Sequence, residues 1–207
     1  MAEHFAVQTT VQPTEEPITL AEAQAHLRYD GSDEDDLIND LITAARQRVE
    51  QETNRTLLQH TKTLTLDRWP PSGMLLIPNP PLIAITSIAY VDTDGDSQTV
   101  TASDYIVDTN SEPGRVTEAY GVVWPALREQ IGAVTVTYTA GYVIDTPGKA
   151  KLAAERGSSL RAMYFLIGHW WRIREAVVDR SVSEVPLGAK FLFEKEYVSP
   201  SWQESFK

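Results

Sequence analysis

The chain of 207 residues contains no cysteine. No disulfide can staple it and no thiolate can hold a metal, and a reducing compartment suits such a sequence. Long hydrophobic runs are missing too: the longest apolar stretches fall far short of the ~18 residues a membrane-spanning helix needs, so no span is expected. The opening MAEHFAVQTTVQPTEEP has neither a basic start nor an apolar core and does not read as a signal peptide.

Positive charge is also scarce. Lysine and arginine number 18 against 29 aspartates and glutamates, for a net charge of -11. Residues 1–60 carry 12 acids and 4 bases, residues 61–146 carry 10 and 4, and residues 147–207 carry 7 and 10. An acidic body with a mildly basic last third is unsuited to general DNA binding, which needs cations to displace condensed counterions. It suits plain solubility, or a surface that lies near DNA without adhering to it.

Catalytic signatures are absent as well. There is no G-x-S-x-G elbow, phosphate loop or dinucleotide fingerprint. The four histidines, His4, His26, His60 and His169, lie far apart and none has a partner at ligand spacing. Asp92, Asp94 and Asp96 superficially resemble a calcium loop. Their glycine stands fourth instead of sixth, however, and Ser103 stands where a bidentate glutamate belongs. A hairpin tip is the better reading. An enzyme is not expected, nor a cofactor, nor a metal.

What is present begins with 42% hydrophobic and 23% charged residues, enough for an ordinary globular core. Residues 1–17 are polar, contain Pro13 and Pro17, and read as a flexible arm. Thr19 with Glu22 forms a capping box that opens a helix over Leu20 to Arg28, ended by Asp30-Gly31. Ser32 is the expected cap of a second helix. Asp33, Glu34, Asp35 and Asp36 fill its first turn, where the helix dipole favours negative charge. That quartet reads first as a helix start and second as a partner or metal site. Leu37, Ile38, Leu41, Ile42, Ala45 and Val49 follow at helical spacing.

From Lys62 the hydrophobic period changes to two. Strands are expected in KTLTLDRW, Leu75–Ile77, Ile83–Val91, Gln98–Thr101, Tyr105–Val107, Arg115–Thr117 and Val134–Thr139. Asp94-Gly95 suggests a two-residue hairpin turn. After Pro147 the helical period returns in a long apolar face from Leu152 to Ala176, with Gly157 marking a kink or a close packing contact. Pro186 opens a short final helix, and Ser199-Pro200 ends it. Within HWWRIREA, Trp170 and Trp171 are roughly 100° apart on a helix, so one packs inward and the other is free to meet a partner. Arg172 and Arg174 beside them complete a candidate subunit interface, since Trp and Arg dominate interface hot spots.

The expected fold is therefore α+β: a helical bundle of two N-terminal helices, a long C-terminal helix and a short final one, interrupted by a β-rich, sandwich-like insert. The boundaries run 1–17 for the arm, 18–60 and 147–197 for the helical body, 61–146 for the insert and 198–207 for a tail.

The order PITLAEAQAHLR, GSDEDDLINDLITAARQRVEQET, LTLDRWP, PPLIAITSIAYVDTDG, SDYIVD, SEPGRV, WP, TAGY, GHWWRIREA and VPLG resembles the head–tail connector proteins of long-tailed phages and gene transfer agents. The resemblance spans roughly Pro17 to Tyr197. It implies a structural virion protein, also called an adaptor or head-completion protein. Such a protein sits in the neck after assembly in the host cytoplasm, as a ring of about twelve subunits below the portal. It would extend the channel for double-stranded DNA without binding it specifically, and carry a stopper or tail-completion protein. On that implication Asp33, Glu34, Asp35 and Asp36 are channel-facing candidates, and Trp202 and Phe206 of the tail are candidate anchors on the portal. The alternative is a stand-alone protein- or carbohydrate-binding β module with helical flanks. A third class, a hydrolase whose site assembles only in the fold, stands behind it.

Overall fold

The computed structural model describes residues 5–173 and 186–199. The chain forms two compact units. A sheet unit uses residues 5–13 and 58–142 together with 198–199, and a helical unit uses residues 14–57, 143–173 and 186–197.

Among the described residues the sheet unit has eight strands: β1 (Phe5–Val11), β2 (His60–Leu66), β3 (Met74–Ile77), β4 (Leu82–Val91), β5 (Ser97–Thr99), β6 (Tyr105–Asp108), β7 (Gly114–Glu118) and β8 (Val134–Ala140). They form a five-stranded sheet in the order β1-β2-β8-β4-β5 and a three-stranded sheet in the order β3-β7-β6, with every pairing antiparallel. The alternation of KTLTL fixes the register. Threonines meet across β2 and β8 on one face (Thr61 with Thr139, Thr63 with Thr137, Thr65 with Thr135), while Leu64 meets Val136 and Leu66 meets Val134 on the other. A slip of one residue would turn all of these over. The apolar face closes one core with Leu75, Ile77 and Val116 of the smaller sheet, around the buried Tyr138 and Trp124.

Two expectations are corrected here. Part of the anticipated arm, Phe5–Val11, is an edge strand paired with β2 from Phe5↔Leu66 to Val11↔Thr61, with an irregularity between Thr9 and Val11. Polar composition hid it, because an edge strand buries little and its stability comes from the β2 ladder. The β4–β5 connection is longer than a two-residue turn. The Gly95 N–H donates to the Asp92 carbonyl and the Asp92 N–H to the Asp96 carbonyl, with Gly95 alone in left-handed backbone at φ 96°. Asp92 Oδ1 accepts the amides of Asp94, Gly95 and Asp96, which favours this wider turn.

The helical unit contains α1 (Leu20–Leu27), α2 (Asp35–Thr53), α3 (Thr146–Glu155), α4 (Gly157–Arg172) and α5 (Leu187–Glu196). α4 packs against the other four, burying Ser159, Ala162, Met163, Leu166 and Ile167 at three- and four-residue spacing. α2 contributes Ile38, Ile42, Ala45 and Val49. Thr19 and Glu22 form the reciprocal capping box. α1 ends at Arg28 in left-handed backbone, with the amides of Arg28 and Tyr29 returning to Ala25 and Gln24, so Gly31 is not the terminator.

α2 starts later than expected. Ser32 does not cap it: its carbonyl accepts the Asp35 N–H in a preceding turn, and Glu34 takes the N-cap position without a side-chain capping bond. The long C-terminal helix is two helices, broken at Arg156 (φ -125°, ψ 34°). A Cβ on Gly157 would meet nothing within 4 Å, so that glycine marks the break and not a tight contact. α4 ends at Arg172, Ala176 lies outside the described residues, and Pro186 is the N-cap of α5 rather than its first residue.

Arg46, 2% exposed on α2, is held by charge. Its Nε donates to Glu16 at 2.7 Å and its Nη1 to Glu50 at 3.0 Å. Glu50 also accepts the Leu57 N–H at 2.8 Å. Burial disfavours the guanidinium charge, yet the two carboxylates hold Arg46 above its ordinary pKa.

Candidate interaction surfaces

The tryptophans expected at an interface close α4. Trp170 and Trp171 are both half-buried and Arg172 is exposed, while Arg174 lies outside the described residues. The Trp171 ring meets Tyr29 edge-on at 5.3 Å, which gives it a partner inside its own unit. Two turns earlier, Tyr164 faces His26 at 5.0 Å. Burial raises the Tyr164 pKa, with Glu22 adding to the shift against Arg161. An open groove lies beside these rings, lined by His26, Tyr164, Phe165, His169 and Trp171 among others.

Of the four acids expected on a channel, Asp33 and Asp36 are exposed and Glu34 and Asp35 half-buried. Asp35 Oδ1 accepts the Gln24 side-chain N–H at 2.7 Å, tying the start of α2 to α1. It is therefore partly structural, and Glu34 is the helix N-cap. Asp33 and Asp36 keep their carboxylates at the surface.

The sequence reading missed two exposed apolar patches. In the sheet unit, the segment after β7 carries Tyr120 at 104% exposure and Val123 at 80%. It is held from both sides. The Ala119 N–H donates to the Asp104 carbonyl and the Val122 N–H to the Ala119 carbonyl. Trp124 then turns inward: its Nε1 donates to the Gly73 carbonyl, its backbone N–H to Glu118 Oε1, and its ring stacks on Trp69 at 4.5 Å and 15°. Trp69 Nε1 in turn donates to the Pro125 carbonyl. In the helical unit, Leu187 and Phe191, one turn apart on α5, are 80% and 69% exposed. The signal for the first was legible as VV beside an inward tryptophan. The second was hidden because the apolar residues of LGAKFLF are spread around most of the helix, so no single face stands out.

The remaining polar clusters serve the fold. Asp92 is held below its ordinary pKa, first by the Gln98 side chain and then by the turn amides. Asp108 is held well below the carboxylate range by the Ser111 hydroxyl, Arg115 and the Asn110 amide. With Asp92 committed to its turn, the three aspartates do not converge. No group of three metal-ligating side chains occurs among the described residues. Nor, among them, is any helix long and apolar enough to cross a membrane. Trp202 and Phe206, the tail candidates, lie outside the described residues.

A family model described as the phage gp6-like head–tail connector protein matches residues 17–112. Among curated proteins none matches the chain. Three similar solved chains are each 21% identical to it. One, from the neck of an empty gene transfer agent particle computed with C6 symmetry, has a TM-score of 0.74 over 94% of this chain and 96% of that one. A second, from the virion of a native gene transfer agent particle, has 0.72 over 93% and 95%. A third, from the neck of a native particle computed with C12 symmetry, has 0.69 over 95% and 96%. The structural matches show that the chain shares the fold of these gene transfer agent chains.

Proposed function

We propose that this chain is a structural neck protein, a head–tail connector that links a capsid to a tail and continues the channel for DNA. The observation that carries the reading is the agreement of two independent matches. A connector family model covers residues 17–112, and chains from gene transfer agent particles share the fold over 93–95% of this one. The role is mechanical: the carboxylates with perturbed titration, Asp92 and Asp108, are bonded into their own turns. A stand-alone binding module would use an aromatic platform on the insert, but Trp69 and Trp124 are stacked on each other, and the fully exposed Tyr120 is one ring among valines.

The finer parts of the reading are a ring of about twelve copies, a portal on one side and a stopper or tail-completion protein on the other. The net charge of -11 supports passage of DNA without adhesion. Sedimentation of the purified chain with a purified portal ring tests the proposal. Joint migration at a fixed ratio is expected, and a chain that stays monomeric and separate from the portal would overturn it.

A further inference from the structure

We infer that the Tyr120–Val123 turn of one copy docks on the Leu187/Phe191 face of the next copy, in a head-to-tail contact between subunits. The inference rests on the connector reading for its biological setting, but its argument is local. The turn is an apolar projection with its backbone already fixed: Tyr120 and Val123 stand in solvent while Trp124 anchors the segment from below. A preformed projection loses little entropy on docking, and tyrosine is among the residues most enriched at interface hot spots.

Its surroundings are acidic. The Glu118 carboxylate accepts the Trp124 N–H at the end of the turn, Asp104 lines a small pocket with Val122 and Val123, and residues 61–146 carry 10 acids against 4 bases. Around the α5 patch bases outnumber acids: Arg161, Lys190 and Lys195 are exposed against Glu194. Leu187 and Phe191 share one helix face, and a Cβ on Gly188 between them would lie 3.3 Å from Phe165 of α4. Arg161 lies over the Phe165 ring at 5.1 Å, and Arg161 and Lys190 are both exposed. An acid-flanked apolar knob and a base-flanked apolar face are complementary in both chemistry and charge.

Among the described residues neither patch is covered, since Tyr120, Val123, Leu187 and Phe191 are all at least 69% exposed. Two different complementary patches on one molecule make a heterologous contact, the kind that closes into a ring when its rotation fits. Hence the occupant is a second copy of this chain.

The absence of cysteine makes a direct test available. Val123→Cys and Phe191→Cys single variants are mixed and oxidised, both free in solution and after incubation with the portal ring. The control pairs Phe191→Cys with Asp94→Cys at the β4–β5 turn. At low salt the Val123–Phe191 pair is expected to link at least about tenfold faster than the control, the low end of what charge steering gives. Arg161→Glu with Lys190→Glu should remove that advantage. Trapping no faster than the control in either sample overturns the docking. Rapid trapping without portal association keeps this contact and sinks the connector reading; portal association without trapping does the reverse.

Discussion

Asp108 shows how one residue can hold a loop. Its carboxylate accepts the Ser111 hydroxyl at 2.6 Å, the Asn110 amide at 2.9 Å and two Arg115 N–H groups at 3.0 and 2.5 Å. These donors favour the charged form and hold its pKa well below that of an unfolded aspartate, about 3.9. A depressed folded pKa gives stability that is present above the unfolded value and lost as pH falls through the folded one. Asp108→Asn should therefore lower the melting temperature at pH 7, and the gap to the parent should narrow as pH falls below about 4. A gap that stays constant in thermal melts down to about pH 2.5 would contradict this assignment. Gly157 makes the opposite kind of prediction. A Cβ there meets nothing, and its backbone is helical, so Gly157→Ala should stabilise the chain by up to about 1 kcal/mol in chemical denaturation. Destabilisation would mean that the break at Arg156 needs the glycine.

At the scale of elements, most of what the sequence makes legible is periodic. The two-residue alternation of β2 and β8 and the helical stripes of α2 and α4 appear where their patterns predict them. The capping box at Thr19 and Glu22 is legible because both bonds lie within four residues. Thr19→Ala should cost about 1 kcal/mol, read from the denaturant midpoint. What could not be read depends on partners distant in sequence. β1 is a strand only because β2 lies more than fifty residues away to pair with it. The late start of α2 reflects a turn in which Ser32 gives its carbonyl rather than its hydroxyl. The candidate surfaces divide the same way: Trp170, Trp171 and the acidic quartet stand out by composition, whereas the Leu187 face declares itself only through exposure. Removing residues 1–11 should leave the other pairings intact but uncover β2, with Phe5 and Val7 lost from the core margin. Faster amide exchange confined to β2 and β8 is the expected result; unchanged protection of β2 would show that β1 adds nothing to the sheet.

At the scale of the whole molecule, the connector reading turns the charge distribution into a mechanical expectation. Duplex DNA carries one charge per ~1.7 Å of its axis, so a basic channel wall would hold it through many phosphate contacts and act as a brake. A chain with 29 acids and 18 bases avoids this if its exposed acids line the path. Asp33 and Asp36 are the quartet members that the fold leaves exposed, with Asp35 bonded to Gln24 and Glu34 at the helix N-cap. Asp33→Lys with Asp36→Lys should therefore leave the subunit folded and particles assembled while DNA leaves them more slowly. The slowing should be greatest at low salt and fade as ions screen the new contacts within a Debye length of about 10 Å at 0.1 M. The measurement is the rate of DNA release from particles carrying the variant, compared at two ionic strengths and checked by circular dichroism of the free chain. Equal rates at both salts would move these two acids away from the channel. A slowing that salt does not relieve would point to altered assembly instead of a charged wall.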